Sequence, residues 1–239
     1  MLRRDFMVAG AALLIASRSA DALTTSAGAL TVTQRADGLD APWSFGFLPD
    51  GMILITERSG VLKCLDTERS VIWEVTGLGL VVARGQGGLL DLLVPADFAQ
   101  RRQLFFSFSK QQPGGSGTAV ARAELSRDAT RLTGWETIFE IKSGSSGGRH
   151  FGSRLVEAQD GTLFVTVGDR GDRPSAQDRS NENGSVLRIT KEGDIPVDNP
   201  FSKTSGVQPA IWSWGHRNPQ GAALDATGTL WVIEHGARG

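Results

Sequence analysis

Three short segments carry the side chains best suited to chemistry. The stretch IWSWGHRNPQG, residues 211–221, sets His216, Arg217 and Asn218 between aromatics and a short strand, while ARGQGG and GGRHFG set Gln86 and His150 at matching places ahead of other strands. Imidazole is the one side chain whose ordinary pKa lies near neutrality, so His150 is a candidate general base. Asp169, which follows the strand in VTVGDRG, is expected on the next strand of the same hairpin, where its carboxylate could orient that ring. Arg217 offers a rigid fork of donors for a carboxylate, and Gln86 and Asn218 supply directional amides. A lone histidine in a glycine-rich loop is more often structural. Convergence of repeat-equivalent polar positions is what favours a site.

Glu234, His235, Gly236 and Ala237 close the last hairpin at the same end. Carbonyls in such a turn, with carboxylates near, suit a hard cation such as calcium, although the same residues could simply cap the turn. Asp169, Asp172 and Asp178 lack the spacing of an EF-hand loop and read otherwise as solvated surface. Gly85, Gly87, Gly88, Gly147 and Gly148 are expected to leave room for a large flat ligand to approach the backbone. Two motif resemblances are set aside: GLGLVV lacks the strand-helix-strand setting of a dinucleotide site, and GSSGG opens no helix as a nucleophile elbow would.

The elements that must position these residues are strands. WSFGFLPDGMILITE, SRLVEAQDGTLFVTVGD and GAALDATGTLWVIEHG share one layout, an apolar strand, a tight turn and a β-branched or aromatic strand, and GLLDLLVPADFAQRRQLFFSFS is a looser copy. Leu54, Leu104, Leu163 and Leu230 mark the second strand of each copy. That spacing matches a propeller blade of four antiparallel strands better than a βαβ unit, with a β-sandwich as the alternative. Further strands are expected at GVLKCLD, VIWEV, AVARAEL and SVLRI. In a propeller the first strand of each blade lines the axis, so the residues ahead of it meet at one mouth. Trp43 and Ser44 are expected to join that group.

Composition narrows the classes. The formal net charge of the 239 residues is −1, which gives no support for nucleic-acid binding. Cys64 is the single cysteine, so there is no internal disulfide and no cysteine cluster for zinc; its place in VLKCLD predicts a buried strand residue. Residues 1–22 read as an export signal, with Arg3 and Arg4 ahead of an apolar run and an A-x-A site at Ala20-Asp21-Ala22. The paired arginines also suit the twin-arginine route. The apolar run is too short to span a bilayer, so no integral membrane protein is expected. Residues 23–239 are expected to form one all-β domain with about four blades.

Taken together and in order, GLDAPWSFGFLPDG, GQGGLLDLLVPADFA, GRHFGSRLVEAQDGTLFVTVGDRG, IPVDNPF and IWSWGHRNPQGAALDATGTLWVIEHGARG resemble the soluble glucose/sorbosone dehydrogenases, from about Leu39 to Gly239. The resemblance implies a periplasmic quinoprotein on a six-bladed β-propeller, with pyrroloquinoline quinone (PQQ) and calcium at the channel mouth. It would oxidise the C1 hydroxyl of aldose sugars to lactones and pass the electrons to an external acceptor. His150 resembles that family's general base and Asp169 the carboxylate beside it. Gln86, Arg217 and Asn218 match residues that hold cofactor and substrate, and the carbonyls of Gly236 and Ala237 match calcium ligands. Proline is the family norm at Ala237. The family continues past this turn into two more blades, so a C-terminally shortened chain, binding quinone poorly, is expected. The alternatives are a calcium-dependent lactonase or esterase propeller and an inactive exported remnant.

Overall fold

The computed structural model describes residues 13–14 and 19–236. Most of the expected export signal, and Ala237, therefore lie outside the described residues. The short strand β1 (Leu13–Leu14) pairs with a later strand, and β2 (Ser19–Thr25) forms an isolated hairpin with β3 (Gly28–Thr33).

The remaining strands fall into consecutive antiparallel sets. The first blade is β4 (Pro42–Phe47), β5 (Ile53–Glu57), β6 (Val61–Asp66) and β7 (Val71–Val75), to whose free edge β1 adds. The second is β8 (Leu89–Leu93), β9 (Gln103–Gln112), β10 (Gly115–Leu125) and β11 (Leu132–Glu140), with a one-turn helix, α1 (Phe98–Arg101), between β8 and β9. The third is β12 (Gly152–Glu157), β13 (Leu163–Val167), β14 (Ser185–Ile189) and β15 (Ile211–Trp214). The last two strands, β16 (Pro219–Leu224) and β17 (Leu230–Glu234), repeat the inner hairpin of a blade. Blade to blade, β4 packs on β8, β8 on β12 and β12 on β16. First strands that adjoin in series make a radial arrangement: this is a β-propeller, with three four-stranded blades and the inner pair of a fourth.

Apolar residues on both faces of a strand are what a blade sandwiched between neighbours requires. In β9, Leu104, Phe106 and Phe108 face the core shared with the first blade, whereas Phe105 faces the core shared with the third. Cys64 is fully buried in the first of these cores, as its strand position predicts. Phe45 and Phe47 on β4, and Trp231 and Ile233 on β17, are exposed at the two ends of the arc.

The blades are also joined by a repeated hydroxyl. Each first strand bulges once, and the opened N–H of Ser44, Asp91 or Arg154 donates to the hydroxyl of Thr56 (3.1 Å), Ser107 (2.9 Å) or Thr166 (2.8 Å) on the second strand. That hydroxyl donates in turn to a carbonyl of the next blade, Leu90 (2.6 Å), Ser153 (2.5 Å) or Pro219 (2.7 Å). A buried polar side chain is thereby fully satisfied while it sets the stagger between blades. In the fourth copy the place opposite Gly221 is taken by Ile233, so the device stops there.

On the axis, four blades meet in one polar cluster. Asp91 of β8 is buried and accepts from Ser44 Oγ (2.5 Å), from the N–H of Leu155 (2.6 Å) and from the Arg154 guanidinium (2.6 Å). Arg154 also donates to the carbonyl of Gln220 (3.1 Å) and lies 4.8 Å from the centroid of the Trp43 ring. Ser44 and Trp43 thus sit inside β4 and serve this axial cluster. The sequence expectation that they precede their strand and face the mouth is corrected by the earlier start of β4, at Pro42.

Candidate active site

The residues ahead of β8, β12 and β16 do converge. His150 and Arg217 each stand two residues before their first strand and so occupy equivalent places in consecutive blades. The Gln86 carboxamide oxygen accepts the backbone N–H of His150 (2.7 Å), and the Gln86 N–H donates to the carbonyl of Gly148 (2.7 Å). Asp169 lies just past β13, and its N–H donates to the carbonyl of Arg217 (2.8 Å). Asn218 is buried, and its side-chain oxygen accepts the N–H of Gly152 (3.1 Å). Three blades are therefore stitched together around His150.

The centre of the cluster is a dyad. Nδ1 of His150 lies 2.6 Å from Oδ1 of Asp169, and the same oxygen accepts the N–H of Gly171 (2.7 Å). Asp169 is 1% exposed and His150 8%. An ionised carboxylate only accepts, so Nδ1 carries the proton and Nε2 presents a lone pair. His150 adopts φ of +55°. A left-handed backbone at a bulky residue costs about 1–3 kcal/mol and persists only where its surroundings impose it. Here Gln86 holds the N–H, and Arg170, itself at φ of +57°, donates its N–H to the carbonyl (3.3 Å).

Arg170 escaped the reading of the sequence because VGDRGD looks like a solvated turn. It is 2% exposed, it donates to the carbonyls of Arg149 (2.5 Å) and Gly147 (2.6 Å), and its guanidinium lies 3.2 Å from the centroid of the Phe151 ring. Burial pulls its pKa down to about 10, with Asp169 opposing the shift. With Asp169, Arg170 makes two successive buried charged residues after a fully buried strand, so this turn is internal. Asp172 and Asp178 are exposed, in keeping with a solvated loop.

Four of the five loop glycines do not leave ligand space, contrary to the sequence expectation; at Gly148 a Cβ would make only an ordinary contact, 3.6 Å from Gly85 Cα. A Cβ at Gly85, whose φ is +62°, would sit 2.2 Å from the carbonyl oxygen of Gly148. At Gly87 it would meet Phe151 and Ser109, at Gly88 the carbonyl of Arg58, and at Gly147 that of Arg170. Their use is close packing of loop on loop, which brings Gln86 to His150. Gly85→Ala is expected to destabilise the fold by more than about 1 kcal/mol and to lower turnover, checked by urea denaturation alongside activity.

Two adjoining clefts open here. The first, about 260 Å³, is lined by Arg149, His150, Asp169, Gly171, Arg173 and Arg217. The second, about 320 Å³, shares Asp169, Arg173 and Arg217 and adds His216, Glu234, His235 and Gly236. Glu234 accepts the N–H of Arg217 (2.6 Å), as Glu57 accepts that of Asp40 (2.8 Å) in the first blade, so this contact belongs to the repeat. The Arg217 guanidinium donates to the carbonyl of His235 (3.1 Å). Among the described residues, no group of three or more His, Cys, Asp or Glu gathers to hold a metal ion. A larger apolar cavity of about 460 Å³ lies on the far side of the first blade, lined by residues such as Leu39, Phe45 and Ile55, and carries none of this chemistry.

The guanidinium groups of Arg149 and Arg173 face the clefts, and the amides of Gln86 and Asn218 lie in the loops beside them; all present nitrogen donors with spare capacity. Among the described residues, the amide nitrogens of Gln86 and Asn218 and the guanidinium groups of Arg149 and Arg173 donate to no protein atom. Such a set fits acceptor-rich, anionic ligands.

Residues 39–239 match the family described as Glucose / Sorbosone dehydrogenase. The chain is 42% identical to Aldose sugar dehydrogenase YliI of Escherichia coli (strain K12), over 91% of this chain and 60% of that protein. It superimposes with a TM-score of 0.81 on the apo-form of the soluble aldose sugar dehydrogenase from Escherichia coli, at 44% identity over 84% of this chain and 59% of that one. With the PQQ-bound form of Aldose Sugar Dehydrogenase from Streptomyces coelicolor the TM-score is 0.74, at 26% identity over 95% of this chain and 62% of the other. The chain thus spans about 60% of the length of such relatives. With the family match covering all four hairpin copies and the His150–Asp169 mouth, the chain belongs to the glucose/sorbosone dehydrogenase family.

Proposed function

We propose that this protein is a quinoprotein oxidoreductase that oxidises the C1 hydroxyl of an aldose to the lactone. The observation that carries the reading is the His150–Asp169 dyad, buried, held in a strained backbone and open through Nε2 to a donor-lined cleft at the propeller mouth.

His150 Nε2 takes the proton of the C1 hydroxyl. Asp169 holds the imidazole in the tautomer that allows this and stabilises the imidazolium that results, as a carboxylate behind a histidine base does elsewhere. Arg217, Asn218 and Gln86 would hold PQQ, whose carbonyl and carboxylate oxygens match their donors. When bound, the quinone supplies the two-electron acceptor for the hydride that leaves C1, and an external acceptor later removes those electrons. Loss of the proton from the C1 hydroxyl and of a hydride from C1 converts the hemiacetal to the lactone. Gln86 acts in two ways, since its oxygen fixes the backbone of the base while its nitrogen remains available.

We propose further that a calcium ion binds beside this site. The second cleft offers oxygens of the kind a hard cation takes, the Asp169 and Glu234 carboxylates and the Gly236 backbone, but fewer than the usual six to eight. Gly236 and Ala237 would contribute their carbonyls. Export to the periplasm rests on the pattern of residues 1–22, and no described helix is long and apolar enough to cross a membrane.

The test is dye-linked oxidation of aldoses by the chain reconstituted with PQQ and calcium, with bound quinone followed by absorbance. Quinone that binds and is bleached by aldose supports the reading; lactone hydrolysis without bleaching favours a lactonase instead. Arg217→Ala is expected to weaken quinone retention about tenfold or more, measured by absorbance after gel filtration, because it removes a charge-assisted fork.

A further inference from the structure

The first cleft is basic beyond what the dyad needs. Arg149, Arg173 and Arg217 line it together with His150, against the single carboxylate of Asp169, whose Oδ1 is taken by His150 and Gly171. None of the three arginines has a carboxylate within salt-bridge distance among the described residues. Arg149 is also placed. Gly171, at φ of +83°, lacks the Cβ that would stand 2.7 Å from Arg149 Nε and 3.3 Å from its Cγ, so the stem of Arg149 crosses the glycine and its head lies along the cleft. Arg217 borders both clefts and belongs with the cofactor in the reading above. That leaves Arg149 and Arg173 beside the base with no carboxylate partner among the described residues.

We infer that the aldose taken by this cleft carries an anionic group, a carboxylate or a phosphate remote from C1, which Arg149 and Arg173 grip while C1 meets His150. This rests on the proposed function for the chemistry at C1, but the recognition of the anion stands on the cleft itself. A guanidinium presents paired donors that match the oxygens of either group. Exposed charge of this kind also steers an anion toward the cleft, and added salt weakens that steering.

The experiment is an NMR-detected titration of the unloaded full chain with D-glucuronate, D-glucose 6-phosphate and D-glucose, at low and at high salt. The expected result is that at least one anionic sugar binds about tenfold or more tightly than glucose, with the advantage shrinking in salt. In the double variant R149Q/R173Q the ratio should collapse to about one. Glucuronate against glucose 6-phosphate tells a carboxylate preference from a phosphate preference. Equal binding of all three sugars by the native chain would overturn the inference, as would an advantage that survives the double variant. Both side chains are exposed, so the variants are expected to fold, and a thermal melt verifies it. A parallel titration with PQQ separates the remaining occupant: if the double variant loses quinone affinity by as large a factor as it loses anionic sugar, the arginines serve the cofactor and the inference fails. Arginine-dependent sugar binding with no oxidation by the loaded chain would instead sink the proposed function and leave this inference standing.

Discussion

His150→Ala is expected to lower kcat for aldose oxidation by about 10²–10⁴-fold, the usual worth of a positioned base, with bound quinone retained. The division follows from the geometry. Nδ1 is committed to Asp169, so the ring touches a ligand only through Nε2, and its contribution arises as the proton of the C1 hydroxyl leaves. Cofactor retention depends on other side chains, Arg217 first among them. Asp169→Asn should fall in the same direction, because its amide can offer Nδ1 an N–H where an acceptor is needed and so favours the tautomer with the proton on Nε2. The measurement is steady-state turnover with an artificial electron acceptor, paired with the absorbance of retained quinone. Turnover by the alanine variant within a few-fold of the native chain would remove His150 from the chemistry. A second readout guards against a structural explanation. His150→Gly abolishes the base but suits φ of +55°, so it should be at least as stable as His150→Ala while being equally inactive.

How much of this was open to the sequence depended on which physical signal each part carries. The inner hairpins announce themselves because a tight turn separates two strands whose apolar pattern has period two. SVLRI and VIWEV coincide with β14 and β7 as drawn. Outer strands are harder: β11 is mostly exposed or half-buried and β15 has only four residues, so neither carries a strong pattern. The mouth was readable because Gln86, His150 and Arg217 are polar residues in repeat-equivalent places, and the structure brings them together with Asp169 and Asn218. Arg170 was not, since nothing local distinguishes a buried arginine that binds three carbonyls from one in a solvated turn. The loop glycines were read as room for a ligand, yet what fills most of that room is backbone and side chains from distant parts of the chain, which no local pattern reports. Asp91 did leave a trace, a lone carboxylate in LLDLL, but its partners come from two other segments.

That carboxylate is where the largest loss of stability is expected. Asp91→Ala should cost about 3–5 kcal/mol, the range for breaking a buried ion pair on one side. The deletion strands several partners at once: the Leu155 N–H and the Ser44 hydroxyl lose their acceptor inside the fold, and Arg154 loses its counter-charge. Each orphaned buried group costs about 1–3 kcal/mol. Arg154 is partly exposed and can rehydrate, which holds the total toward the lower end. Because the cluster ties the first strands of four blades, the cooperative transition itself should move, seen as a lower urea midpoint at unchanged slope. Arg154→Ala probes the same cluster from the other side and gives a signature in pH. Burial raises the Asp91 pKa and the Arg154 charge opposes it; without the guanidinium the folded-state pKa rises further. A folded carboxyl with a raised pKa keeps its proton where the unfolded chain has released it, so stability falls as pH climbs from the ordinary carboxylate range through the raised value. The cost of Arg154→Ala is therefore expected to be small in acid, where Asp91 is neutral in both states, and to grow toward neutral pH, while the cost of Asp91→Ala lacks that rise. Denaturation midpoints of the two variants across that range decide the matter, and parallel pH profiles would mean that the Asp91–Arg154 charge pair does not hold the blades together.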